Sequence, residues 1–268
     1  MVQQLCGAVF ARAGASHVGD AMSDLPDLRY LNQLLVETIR VKRRPVAITY
    51  CAEGPPIGYT PANVVACGIV REAEQGRHVY VDSQHHDCWV GQYHLGLNPN
   101  ADQFITAGEY LTLAQGFYTE AAARCNKQQS HNLPTGMIRA LAAAPLDEVP
   151  EGVPVDLLIC VCDVQRAMQI AGAASVRIGQ FPVGELGASA CSSIFAAPYN
   201  TKNSVFAIGD GGGRMHNRLD PGELFVSIPR DHLRYVVELV ENFRIDPQKM
   251  REIIMPSFGA KAQRTAQE

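Results

Sequence analysis

The chain has 268 residues, 47% of them hydrophobic and 19% charged, a balance that fits a globular fold with a proper core. A formal net charge of −4 gives no electrostatic reason to bind nucleic acid or an anionic membrane surface. No run reaches the ~18 consecutive apolar residues that a membrane-spanning helix needs.

The first 21 residues, MVQQLCGAVFARAGASHVGDA, lack a basic start and carry Arg12 within the apolar run, so they read as an extension and not as a signal peptide. Met22 precedes SDLPDLRYLNQLL, where folded structure is expected to begin. One globular domain is expected over 22–258, with 259–268 as a tail, since no low-complexity linker divides the chain. Without an export signal the expected compartment is the cytoplasm, where thiols stay reduced. The eight cysteines then read as thiols or ligands and not as disulfides.

Leu28, Leu31, Leu35 and Ile39 recur at helical spacing, with Pro26 as a first-turn residue. The basic run RVKRRP ends this helix, where positive charge suits the dipole. PVAITY (45–50) reads as a strand, EGPPIGYTP as a loop, and ANVVACGIVREA as a helix. RHVYVD follows as a strand, and SQHHD as a turn in which Asp87 caps a helix beginning at Cys88. Helices are expected around 107–115 and 119–128, and strands at MIRALAAAPL and VDLLICVC. Asp163 caps a helix over VQRAMQIAGAA. ASACSSIFAA reads as a helix, NSVFAIG as a strand, DGGGR as a loop, ELFVSIP as a strand and DHLRYVVELVENF as a helix, with a short helix after Asp246-Pro247. Helices and strands alternate, so the expected class is α/β or α+β, with a mixed sheet flanked by helices.

Two stretches run in parallel: VACGIVREAEQGRHVYVDSQHHDC and SACSSIFAAPYNTKNSVFAIGDGG. Each passes from an Ala-Cys pair on a helix through a turn and a strand to an acidic loop. This pattern suggests an internal pseudo-twofold repeat that would bring both helices and both loops together, although helix–turn–strand units also recur by chance.

The same residues, Cys67, Cys88 with Gly96-Leu97, Cys191, Arg214, and Asp220 through Pro229, resemble in order and spacing the bacterial and archaeal domain-of-unknown-function family 169. The resemblance spans roughly 28–245 and implies no established reaction. It also implies a fourth cysteine just before the glycine-arginine loop, where this chain has Asp210 or Gly211.

Cys67, Cys88 and Cys191 are the sharpest constellation. Three thiolates suit a 4Fe–4S cluster whose fourth iron stays open as a Lewis acid, with Asp210 as a labile ligand. Zinc is the alternative, with His86 or His216 completing a tetrahedron, and buried small side chains are the third reading. Cys88, directly after a capping residue, is expected to favour the thiolate, which also opens a metal-free nucleophile paired with His86 or His94. In GDGGGRMHN the glycines admit an anion and Arg214 can grip it, or the loop is a turn with Arg214 in a structural bridge. The leading expectation is an iron–sulfur enzyme doing lyase or hydrolase chemistry on a small anionic molecule, with Arg214 and His86 in catalysis. A non-catalytic metal, cofactor or ligand-binding protein is the alternative. Neither nucleic acid nor membrane is expected as a partner, and a homo-oligomer stays open.

Overall fold

The structure, a computed structural model, describes residues 25–85, 88–101, 119–186 and 189–243. The expected N-terminal extension and C-terminal tail, the helix over 107–115 and the helix after Asp246-Pro247 lie outside these residues.

Asp27 starts α1 (Leu28–Gln33), its carboxylate accepting from the backbone N–H groups of Arg29 and Tyr30. Pro26 therefore precedes the cap and does not occupy the first turn. A π-helical turn, Leu34–Ile39, continues the helix until Arg40 turns left-handed. β1 (Val46–Cys51) and β2 (Thr60–Pro61) lead to a 3-10 turn, Ala66–Gly68, and α2 (Ile69–Glu74). β3 (Val79–Asp82) is followed by α3 (Trp89–His94), and after α4 (Glu120–Gln129) come β4 (Ala140–Pro145) and β5 (Leu157–Asp163). α5 (Val164–Ile178) starts where Asp163 accepts from Arg166 N. β6 (Val183–Glu185) leads to a π-helical segment, Ser192–Ala196, and α6 (Ala197–Thr201). β7 (Val205–Ala207), α7 (Gly211–Asn217), β8 (Glu223–Pro229) and α8 (Leu233–Phe243) complete the described chain. No helix among the described residues is long and apolar enough to cross a membrane.

The eight strands form one mixed sheet in the order β2-β3-β4-β1-β5-β8-β7-β6. β2 with β3, and β6 with β7, are parallel; every other neighbouring pair is antiparallel. Read inward from either edge, the two halves have the same order and the same pairing senses, and they meet at β1 and β5. In each half, the helical segment carrying Cys67 or Cys191 connects the two parallel strands.

Alternation along β5 sorts the core. Leu157, Ile159 and Val161 face one layer with Cys67, Ile69, Cys191, Ile194 and Phe195. Leu158, Cys160 and Cys162 face the other, with residues of α1, α5 and α8. This is an α/β domain with helices on both faces of the sheet, and the first face carries the candidate site.

The basic run after α1 is held in ion pairs rather than left to the helix dipole. Arg43 reaches Glu74 at 2.5 Å and Glu223 at 3.1 Å, and Arg44 binds Asp147 and Glu148. Arg43 also donates to the Asn217 carbonyl. Fully buried Asn217 ties α7 to the Cys67 turn: its Nδ2 donates to the Cys67 and Gly213 carbonyls, and its Oδ1 accepts from Arg71 N. Asn217→Ala leaves the Cys67 carbonyl and the Arg71 N–H without these partners, a loss of about 3 kcal/mol. In a thermal melt this variant is expected to unfold about 6–12 °C below the wild type.

Candidate functional site

The sequence from β6 into the helix of Cys191 is pinned from several sides. Ser193 Oγ donates to the Ser189 carbonyl, Ser227 Oγ of β8 to the Ile194 carbonyl, and Ser192 Oγ to the His131 carbonyl. Tyr50 of β1 donates to the Phe195 carbonyl at 2.7 Å. These bonds fix Cys191, 3% exposed, over the sheet, where its thiol lies beside that of Cys67, 6% exposed. Two segments that follow β2 and β6, at opposite edges of the sheet, thus end at one pair of sulfurs.

Cys88 is itself the N-cap of α3, its sulfur accepting from Gly91 N at 3.4 Å. The expected cap, Asp87, and the candidate catalytic His86 lie outside the described residues. Asp210 caps α7 in the same manner: Oδ1 accepts from Gly213 N at 2.5 Å, three residues on, and Oδ2 from Ala190 N at 3.3 Å. Cys88 after β3 and Asp210 after β7 therefore occupy corresponding places in the two halves. Of the two positions the sequence offered for the fourth ligand, Asp210 is the one with a side chain on the site. α7 comes so close to the Cys191 segment that a Cβ on Gly213 would lie 2.4 Å from that of Ala190. The DGGGR stretch, expected as a loop, is the first turn of a helix because the Asp210 cap, Asn217 and this contact outweigh the poor helix propensity of glycine.

Electrostatics joins these groups into one cluster. The Cys88 thiol is pushed up to about 11 by burial, then by Cys191, with Asp210 adding to the rise. Burial outweighs the N–H groups of the helix start, so the sequence expectation of a ready Cys88 thiolate is corrected. Cys191 is also raised well above the ordinary thiol range, first by the neighbouring Cys67 and then by burial. No three His, Cys, Asp or Glu side chains among the described residues are arranged to take a single metal ion.

One buried residue beside the site, Lys127, carries no signal in the sequence motifs; His94 stands there as a candidate partner for Cys88. Lys127 of α4 is 1% exposed, and burial lowers its ammonium pKa to about 8 against the opposing influence of Asp210, Cys191 and Cys88. His94, fully buried at the end of α3, stands 3.4 Å from Lys127 Nζ. Arg214, expected to grip an anion, braces its own loop instead: Nη1 donates to the Ile208 and Glu223 carbonyls and Nη2 to that of Asp220. His216, the alternative zinc ligand, is exposed on α7. Gly96 of the Leu-Gly-Leu turn has φ +63, and a Cβ there would lie 2.5 Å from the Pro134 carbonyl oxygen. It holds the end of α3 against the loop that carries His131 and Asn132.

His94 gives the site a pH signature. Burial first, then Lys127, lower its pKa to about 3, so the folded chain keeps it neutral while the unfolded chain protonates it near its ordinary value of about 6.5. Its contribution to stability is whole above that value and is lost as pH falls toward 3, at about 1.4 kcal/mol per pH unit. Denaturant titrations between these limits are expected to show this slope, and His94→Gln to flatten it.

No solved structure matches the chain. The chain is 25% identical over 228 residues to "Uncharacterized protein MJ0308" of Methanocaldococcus jannaschii, covering 82% of this chain and 97% of that protein. The family model DUF169, described as "Uncharacterised ArCR, COG2043", matches residues 34–239, a span that includes every residue of the site above. The chain belongs to the DUF169 family.

Proposed function

We propose that the protein holds a 4Fe–4S cluster on Cys67, Cys88 and Cys191, with its fourth iron beside Asp210, and uses that iron in lyase or hydrolase chemistry on a small anionic molecule. What supports this reading is that Cys191 acts on both Cys67 and Cys88, and Asp210 on Cys88 and Cys191, four side chains from separate segments, with Cys67 and Cys191 buried and Cys88 and Asp210 half-buried. When bound, the cluster supplies an exchangeable iron as Lewis acid.

The chain's own residues support a metal group over a free nucleophile. Cys88 and Cys191 hold their protons well above neutral pH, which leaves little thiolate for attack. A metal displaces those protons, so thiols that are poor nucleophiles alone are sound ligands. Asp210 suits the exchangeable position, because a hard carboxylate holds iron less firmly than a thiolate does. Both of its oxygens accept from backbone N–H groups, which would hold the carboxylate in place whether or not it ligated iron. All seven described cysteines are free, in keeping with a reducing compartment such as the cytoplasm. The matched strand orders and the matched caps at Cys88 and Asp210 favour a duplicated unit, with the cluster on the pseudo-twofold between its copies.

Anaerobic purification followed by iron and sulfide analysis tests this directly. Near-stoichiometric iron and sulfide are expected in the wild type, with loss of most of both in Cys67→Ser, Cys88→Ser and Cys191→Ser. Asp210→Cys is expected to hold the cluster longer in air and to weaken its exchange with added ligands. Zinc without sulfide, or no metal at all, would overturn the cluster.

A further inference from the structure

Where β5 ends beside the start of β8, at the register pair Asp163 and Glu223, a cleft of about 200 Å³ opens. Lys42 from the stretch before β1, Cys162, Arg166 of α5 and Asp220 from the turn before β8 line the rest of it. The cleft is separate from the thiol site, because Cys162 faces the layer of α1, α5 and α8 on the other side of the sheet.

The charges of the cleft fall into two groups. Arg166 and Asp163 satisfy each other: the guanidinium donates to the carboxylate, and its Nε donates to the Arg40 carbonyl. Glu223 is held from outside, its Oε2 accepting from Arg43 Nη1 at 3.1 Å and from Asp220 N at 3.0 Å. Lys42 and Asp220 differ from these. Among the described residues, neither the Lys42 ammonium group nor the Asp220 carboxylate has a hydrogen-bond or ion-pair partner, and the two do not pair with each other.

Opposite charges that line one cleft without meeting leave a gap that a molecule carrying both signs can bridge, with a charge-assisted hydrogen bond at each end. Simpler ions fit less well. An anion on Lys42 would face Asp220 and Glu223, and a cation on Asp220 would face Lys42. The three carboxylates do not make a metal set, since no three such side chains among the described residues are arranged to take one ion. The volume is that of about seven waters, room for a small molecule with a similar number of non-hydrogen atoms. The Cys162 thiol, 3% exposed, is pushed up to about 12 by burial and then by Asp163. It adds no charge to the cleft and offers a small apolar contact.

We propose that this cleft binds a small α-amino acid as its zwitterion, with the carboxylate on Lys42, the ammonium group on Asp220 and a short side chain toward Cys162. The proposal goes beyond the cluster reading and does not depend on it, because no thiol of that site takes part.

Ligand-detected NMR on the full chain tests this, with L-alanine, L-serine and L-valine as probes and acetate and methylammonium as single-charge controls. The wild type is expected to bind at least one of the three amino acids with a dissociation constant of about 1 mM or tighter. Lys42→Met and Asp220→Asn are each expected to weaken that binding at least about tenfold, the effect of losing one charge-assisted hydrogen bond. Each control is expected to bind at least about tenfold more weakly than the amino acid. Both variants are expected to keep the wild-type melting temperature, because neither charged group has a partner to lose. No binding by any of the three amino acids would overturn the proposal, as would undiminished binding in either variant or a control that binds as tightly. A lowered melting temperature in either variant would show that its charge already serves the fold, and that also overturns it.

Discussion

A buried ammonium group, Lys127, lies on the same face of the sheet as the buried thiols Cys67 and Cys191 and the half-buried Cys88 and Asp210, and it would be costly there without partners. The surrounding fold is arranged so that none is alone. Cys67 and Cys191 lie side by side, Asp210 accepts from two backbone N–H groups, and Lys127 Nζ stands 3.4 Å from His94 Nε2. Much of the polar framework on this face serves the same end. Asn217 holds α7 against the Cys67 turn, Arg43 holds Asn217, and Tyr50, Ser192, Ser193 and Ser227 hold the Cys191 segment.

The central pair β1 and β5 sets the geometry. Because the two halves meet there antiparallel and have the same strand order, their helical connections approach the middle from opposite edges on one face. The turn of Cys67 then lies under α7 of the other half, through the Asn217 bonds, while the Cys88 thiol feels Cys191. Chemistry placed at that junction draws on both halves at once.

Hydrophobic patterning made the main strands and long helices legible. ELFVSIP matches β8 residue for residue, and Asp163 starts α5 as its position before an apolar-periodic run suggested. The short edge strands β2 and β6 were not legible, since two or three mostly exposed residues show no alternation and exist by pairing with a neighbour. α7 was hidden by its three glycines, which local propensity counts against a helix and tertiary contact requires. The three cysteines and Asp210 stood out by spacing, but Lys127 did not. Arg214, in a glycine-rich loop, stood out as the cation of the site, but its guanidinium donates to the carbonyls of its own surroundings. Lys127 sits in the polar run Asn126–Gln129 and reads as solvated; the faint signal was Ala123, four residues earlier on the same helix face and fully buried.

Anomalous diffraction at the iron edge, from crystals of the full chain grown without oxygen, tests the central claim most directly. The account predicts one compact iron peak among Cys67, Cys88, Cys191 and Asp210, resolving into four sites, with the iron nearest Asp210 not bound to a cysteine. Crystals with no anomalous signal at those residues, or with a single zinc peak there, would contradict it.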